Sequence, residues 1–363
     1  MKLPLKIYFY LARQYGWNFL FLLSILLGVV YLFDTVELLR RGANYDLNLG
    51  LTAKMSLFKL PEVGQLILPF AILFSGIYTF WSLTRSNELI VIRSAGFSAW
   101  QFLTPVLLTS LLIGIVATTV INPMSAVFLK KYEHMEVKYL NKKNAMIDVS
   151  QNGIWLRSQQ GEKYTLLRAA ELDPKNWRLN NIIVFFYDQN DTLLKRMDAD
   201  TALLRSGYWE IQNVYIHDSS PEPVFEKTVI LKTDLTATEI EDSFASPETL
   251  SFWELPSFIK TMEETGFPAT RLKVHYQSLL AQPFFFTAMI LLAAAVSLRP
   301  SRFGSTTSLV TLGIMIGFFI FFLGNILHAF GISQNIPVLL AAWTPTCVSL
   351  LLGVSTILYL EDG

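Results

Sequence analysis

Two patterns of apolar and polar residues divide this chain. Both ends carry long, almost unbroken apolar runs, at 17–33, 60–83, 102–121, 279–298, 309–330 and 336–360. A helix crosses the hydrocarbon core of a bilayer with about 20 mainly apolar residues, so each run predicts one transmembrane helix. The second is interrupted only by Glu62, Gln65 and Pro69. Proline is tolerated there because neighbouring helices re-satisfy the backbone groups it frees. Between the third and fourth runs, short stretches alternate apolar and polar residues at 153–157, 163–168, 181–187, 202–205, 208–216 and 229–233. A period of two, bounded by turn residues such as those at 188–191 and 205–207, predicts strands. Short strands at this spacing predict an antiparallel sandwich or jelly roll. Two helices flank them. One continues the third run outward over 130–141. The other opens at a capping box, Ser251 with Glu254 three residues on, and stops at Gly266. The expected fold is membrane α-helical: six transmembrane helices, three plus three, with an inserted antiparallel, jelly-roll-like β domain. The expected segments are 1–121 for the first three helices, 122–274 for the β domain with its flanking helices, and 275–363 for the last three.

Composition agrees with a membrane chain. Of 363 residues, 52% are hydrophobic and only 16% charged, against about 25% charged in ordinary soluble domains. The net charge is zero, so no basic field points to nucleic acid. The single cysteine, Cys347, lies in an apolar run and excludes an intrachain disulfide framework and a Cys-rich metal site. Orientation follows the excess of Lys and Arg in short cytoplasmic loops. Lys2, Lys6 and Arg13 precede the first run, Arg85 and Arg93 follow the second, and Arg299 and Arg302 follow the fourth. The loop after the fifth run, 331–335, has neither. Arg40, Arg41, Lys54 and Lys59 after the first run weaken the contrast. Both termini are therefore expected in the cytoplasm and the β domain outside it. The first apolar run leads into Asp34-Thr35-Val36-Glu37 with no small-residue cleavage site, so it predicts an uncleaved anchor.

Three polar features ask for a reason. The segment 85–96 predicts a short cytoplasmic helix. Ser86 is placed to cap it, Glu88 lies in its first turn, Leu89, Ile92 and Ala95 form one apolar stripe, and Gly96 ends it. Such a helix either docks in a groove of a partner or lies solvated on the membrane surface. Arg40 and Arg41 follow Asp34 and Glu37 at the outer end of the first helix, and Lys130 and Lys131 lie at the outer end of the third. Arginine forks match phosphate, so two basic pairs at the outer leaflet suit an anionic headgroup; the alternative is snorkelling to the interface. The four histidines have no metal-ligand spacing, and there is no phosphate-binding loop G-x-x-x-x-G-K-[ST] and no G-x-S-x-G nucleophile motif.

These strings resemble the permeases of the lipopolysaccharide export ABC transporter, the LptF/LptG family. The resemblance covers essentially the whole chain. Ser86-Asn87-Glu88 through Gly96-Phe97-Ser98 resembles the family's coupling-helix string. Leu60-Pro61-Glu62 through Pro69 resembles its second-span entry, and Gln282-Pro283-Phe284 is also typical. The C-terminal stretch from Gly331 to Pro345 is similar to the LptG branch. The resemblance implies a permease subunit of the bacterial inner membrane that is not itself an enzyme. Its large domain is periplasmic. The implied partners are a second, LptF-like permease, a dimeric cytoplasmic LptB-like ATPase, a single-span periplasmic LptC-like bridge protein and lipopolysaccharide. No cofactor is expected in this chain; ATP and Mg belong to the ATPase. The paired permeases would take lipopolysaccharide from the outer leaflet and pass it to a β-jelly-roll bridge toward the outer membrane. Glu88 matches the carboxylate facing the ATPase groove, with Arg85, Leu89 and Ile92 around it. Arg40 or Arg41 falls where the family has a lysine pair, and Lys130 aligns with a basic residue beyond the third span. A second basic position there is Glu133 in this chain, with Lys131 nearby.

Two other classes fit the same pattern less fully. A membrane enzyme acting on lipid-linked substrates would need a tight acidic pair or metal cluster, and Asp34 with Glu37 is the only such pair near a helix end. A non-transporting anchor for an ATPase would not depend on Arg40, Arg41 or the apolar walls.

Overall fold

The computed structural model describes residues 5–43, 48–140, 147–150, 153–160, 163–173, 177–188, 192–205, 207–218, 223–233, 246–264, 269–298 and 306–362. Lys2, Gly266, Arg299, Arg302 and Gly304 lie outside them. Helix α1 spans Leu5–Gly42, α2 Leu49–Arg85, α3 Glu88–Ser94 and α4 Ala99–Val116. A π-helical turn, Ala117–Ile121, joins α4 without a break to α5, Asn122–Tyr139. Strands β1 to β7 follow at Ile147–Ser150, Gly153–Gln160, Lys163–Asp173, Arg178–Tyr187, Leu193–Arg205, Tyr208–His217 and Val224–Lys232. After a 3-10 turn at Pro247–Thr249 come α6 (Leu255–Glu264), α7 (Thr270–Ser297), α8 (Thr306–Ile332) and α9 (Val338–Asp362). Among the described residues, six helices are long and apolar enough to cross a membrane: α1, α2, the continuous α4–α5, α7, α8 and α9. Each apolar run falls on one of them, with Leu298, Ile336 and Pro337 just beyond the helix ends.

One compact unit comprises Met1–Leu140, Ser251–Trp253 and Thr270–Gly363. Its core is aromatic and aliphatic: Tyr15, Phe80, Phe102 and Phe286 are fully buried beside Leu73, Leu83 and Leu103. Helix α7 lies deepest, with 67% of its most apolar window buried inside the unit, against 6% for α1 and 17% for α8. Small residues let the helices approach, as membrane packing favours. A Cβ on Gly114 would stand 2.5 Å from Pro283 Cα, and one on Gly76 would stand 2.8 Å from Ala293 Cβ. The helix beyond residue 121 belongs to this unit because its inward positions, Ser125, Ala126, Leu129 and Tyr132, are buried; the change of character in the sequence at 122 marks its exposed side only. The π turn collects polar groups. Thr118 Oγ1 donates to Leu279 O (3.3 Å) and to Gln282 Oε1 (3.2 Å). Asn122 Nδ2 donates to Gln65 Oε1 (3.3 Å), while Asn122 Oδ1 accepts from Phe252 N (2.8 Å). Trp253 Nε1 donates to Thr119 O (3.2 Å). π turns leave backbone groups available for such partners.

The other unit comprises Asn141–Leu250 and Glu254–Ala269. Among the described residues its seven strands pair antiparallel in chain order, β1 to β7. This is a meander; the strand pattern of the sequence serves a sandwich equally well, and only pairing separates them. The sheet curls: a small cavity is lined by Leu156, Thr165 and Leu167 of β2 and β3 and by Trp209 and Leu231 of β6 and β7. Across β4, β5 and β6 one row breaks the pairing, at Asn181, Asp200 and Asn213. Asn181 and Asn213 have φ of 51° and 54°, a left-handed conformation asparagine accepts more readily than most residues. Asn213 Nδ2 donates to Asp200 Oδ2 at 2.9 Å. The extra residue in each strand reverses which side faces inward: Leu179 then Ile182, Met197 then Ala202, and Ile211 then Val214 are all buried. The expected capping box does not open α6. Residues 252–254 form a turn, with Phe252 and Trp253 engaged at the π turn, and the helix begins at Leu255.

Candidate functional site

The C-terminal half of α1 carries an apolar stripe that ends in a cation. Val29, Leu32, Phe33 and Val36 recur at helical spacing on one face and are 46%, 64%, 73% and 63% exposed. Arg40, one turn beyond Val36, tops the stripe with its side chain 76% exposed. Its fork is engaged by its own helix: Arg40 Nε donates to Glu37 Oε2 (2.9 Å) and a terminal nitrogen donates to Glu37 Oε1 (2.8 Å). Arg41 turns the other way. It donates to Glu136 Oε1 of α5 at 2.8 Å, and the Glu136 side chain is only 9% exposed. Lys59 of α2 pairs with Asp34 Oδ1 at 3.0 Å and lies over the Tyr132 ring. Two ion pairs thus tie α1 to its neighbours, Arg41–Glu136 to α5 and Lys59–Asp34 to α2, while Arg40–Glu37 stays within α1, and the two arginines do not act as a pair. Asp34 and Glu37 are likewise separated, each toward its own cation.

The two lysines also part company. Lys131 lies over the rings of Phe58 and Phe128, with Lys54 also over Phe58. Lys130 is exposed one helical step round and makes no ion pair among the described residues. Its nitrogen and the Arg40 guanidinium are the cations here most open to an added anion. Sequence reasoning named the four cations but missed Lys59, Glu136 and Tyr132. Only their periodicity toward the core of α2 and α5 signals them.

The helix predicted at 85–96 is α3. Gly96 ends it as expected, at φ 83°, with its N–H on Arg93 O. Its N-cap is Asn87, at φ 59°, rather than Ser86. Ser86 Oγ instead donates to Glu88 Oε1 (2.9 Å), and Tyr10 of α1 donates from its hydroxyl to Glu88 Oε2 (2.9 Å). Arg85 lies over the Trp81 ring at 5.3 Å. Leu89 and Ile92 are buried in the helical core. The outward apolar residues are Ile90 and Val91, 59% and 65% exposed. The apolar stripe of the sequence is therefore the side that holds α3 to its own chain. A docking partner would meet Ile90, Val91 and Arg93.

Six helices long and apolar enough to cross a membrane, among the described residues, with one short surface helix between the second and third, define a multi-pass helical membrane protein. The chain matches the family "Lipopolysaccharide export system permease LptF/LptG" over residues 9–359, and it belongs to that family. It is similar to lipopolysaccharide export system permease protein LptG of Escherichia coli (strain K12), 22% identical over 344 residues that cover 92% of each chain. The protein of the same description from Haemophilus influenzae is 22% identical over 292 residues, 79% of this chain and 80% of that one. The chain is thus a multi-pass membrane protein and a lipopolysaccharide export permease with LptG-like sequence, from the permease family of an ABC transporter.

Proposed function

We propose that this permease works as one of a pair, takes lipopolysaccharide from the outer leaflet of the bacterial inner membrane, and passes it to a periplasmic β-jelly-roll bridge. A separate dimeric ATPase, meeting α3 from the cytoplasm, holds ATP and Mg and supplies the energy; this chain carries no catalytic step. The observation that carries the reading is the α1 stripe. Acyl chains lie along Val29, Leu32, Phe33 and Val36, and the phosphorylated headgroup reaches Arg40 above them. Removing acyl chains from the leaflet costs about 0.8 kcal/mol per methylene, which accounts for a driven process and for an apolar wall to receive the chains. The scarce cover on α1 and α8, 6% and 17% of their apolar windows, leaves wall for both a second permease and the lipid.

The test follows from the Arg40 pairing. Glu37 occupies the fork that a phosphate would use. A photo-crosslinker at position 36 should label lipopolysaccharide before ATP is added. Arg40→Glu should reduce that labelling several-fold. Glu37→Gln should increase it, because it keeps the shape and removes the competing charge. Arg40→Lys should fall between, since charge stays and the fork is lost. Labelling indifferent to all three changes would leave snorkelling as the role of Arg40 and reduce the chain to an anchor at this site.

A further inference from the structure

We propose that Tyr10 is a positioning residue that ties Glu88 of α3 to α1, so that a displacement of α3 by its ATPase moves α1 directly. The inference rests on the reading of α3 as the ATPase contact. Both Glu88 oxygens are held: Oε2 by the Tyr10 hydroxyl and Oε1 by Ser86 Oγ, each at 2.9 Å. The Tyr10 bond crosses 78 residues of sequence and joins two different helices. It is reinforced from inside, because Leu89 and Ile92 of α3 share one core cluster with Leu11 and Tyr15 of α1. The left-handed turn at Asn87, φ 59°, aims the first turn of α3 so that its leading carboxylate faces α1.

The consequence lies in the shape of α1. It is one unbroken helix from Leu5 to Gly42. Tyr10 stands near one end and Arg40 near the other, roughly 45 Å apart at 1.5 Å per residue. Only 6% of its most apolar window is buried, so packing holds α1 least along its middle, while its far end is tied to α5 and α2 by Arg41–Glu136 and Lys59–Asp34. A stiff rod held in this way passes a pull at the Tyr10 end to those ties at the other. Helix α2 and the continuous α4–α5, which flank α3 in the chain, carry a far larger buried share, at 56% and 33%. The hydroxyl–carboxylate bond therefore links the cytoplasmic helix to the one span that carries the lipid stripe.

The experiment uses the assembled transporter in proteoliposomes loaded with lipopolysaccharide and reads lipopolysaccharide released per ATP hydrolysed. Tyr10→Phe removes only the hydroxyl and should lower that ratio at least threefold. Glu88→Leu, which removes the acceptor, should lower it at least as far. Adding Tyr10→Phe to Glu88→Leu should lower it no further, because both changes break the same bond. A wild-type ratio in Tyr10→Phe, or singles whose effects multiply in the double variant, would overturn the proposal. So would a loss of complex recovery with the ratio unchanged, the result of a purely structural role. Glu88→Lys tests the underlying reading separately: if it leaves complex recovery and ratio at the wild-type level, α3 is not the ATPase contact, and the proposal falls with it. If Glu88→Lys impairs coupling and Tyr10→Phe does not, only the tie to α1 is wrong.

Discussion

Adjacent arginines at the end of α1 do different things, and the difference is one of burial. Arg41 is bound to Glu136, whose side chain is 9% exposed. Removing the cation leaves a nearly buried carboxylate without its partner. Arg41→Ala should therefore destabilise the helical unit by about 1–3 kcal/mol, the range for stranding a buried polar group, less whatever solvent recovers at the half-open Arg41 side. Arg40 and Glu37 stand in solvent, so Arg40→Ala should leave the thermal midpoint of the purified permease unchanged. Equal shifts for the two variants would contradict this division of roles. Gly114 makes a complementary case. Its hydrogen faces Pro283, and a side chain there has no room; overpacking of this kind typically costs about 1–3 kcal/mol. Gly114→Val should lower the recovery of folded protein in detergent, read by size-exclusion chromatography, while Gly28→Val, where nothing stands within 4 Å, should not. The sequence displayed the arginines because two cations after an apolar run are conspicuous. It hid Glu136 because a carboxylate 95 residues away is found only by folding the chain.

Helix α3 shows how a correct element can be read inside out. Its existence, its Gly96 stop and the place of Glu88 in its first turn were legible from local chemistry, but its cap was not, since Asn87 rather than Ser86 holds that position. The orientation of its stripe was not, because spacing states which residues share a face and not which surface that face meets. Leu89 and Ile92 turned inward, so Ile90 and Val91 are the apolar residues a partner can touch. Val91→Glu should therefore reduce co-purification of the ATPase several-fold with the permease itself recovered normally. Leu89→Glu would instead bury a charge in the helical core and should cost the permease its fold. Similar losses of permease in both would show that α3 has no free face. The β sheet teaches a related lesson. Its strands were legible as short alternating runs, but the row at Asn181, Asp200 and Asn213 reverses the inward parity in the middle of β4, β5 and β6. A single period-two pattern laid over each strand assigns half of its residues to the wrong side. The asparagines were the available signal, since they accept the left-handed backbone that such a row requires.

The arrangement of the chain across the membrane follows from counting spans and weighing charges together. Three spans, α1, α2 and α4–α5, precede the sheet, and three, α7, α8 and α9, follow it. An odd number on each side sets the sheet on the face opposite both termini. Charge then chooses the face. Lys6, Arg13, Arg85 and Arg93 lie beside span ends on one side, while the short connection between α8 and α9, 331–335, has neither Lys nor Arg. On the proposed orientation the excess of positive charge lies on the cytoplasmic side, which would put the exposed outward face of α3, with Arg93, within reach of the proposed ATPase. Arg40, Arg41, Lys54 and Lys59 argue the other way by count. Arg40, Arg41 and Lys59 are paired with Glu37, Glu136 and Asp34, but the rule counts Lys and Arg rather than net charge, so the pairing does not lift the objection and the reporter decides. A reporter active only in the periplasm, fused after Gly266, should give signal, and the same reporter after Gly304 should give none, because α7 alone lies between them. A reporter that fluoresces only in the cytoplasm should show the reverse. If both positions report one side, α7 does not cross; if each reports the side opposite to that expected, the charge rule has been misapplied and α3 faces away from any cytoplasmic ATPase.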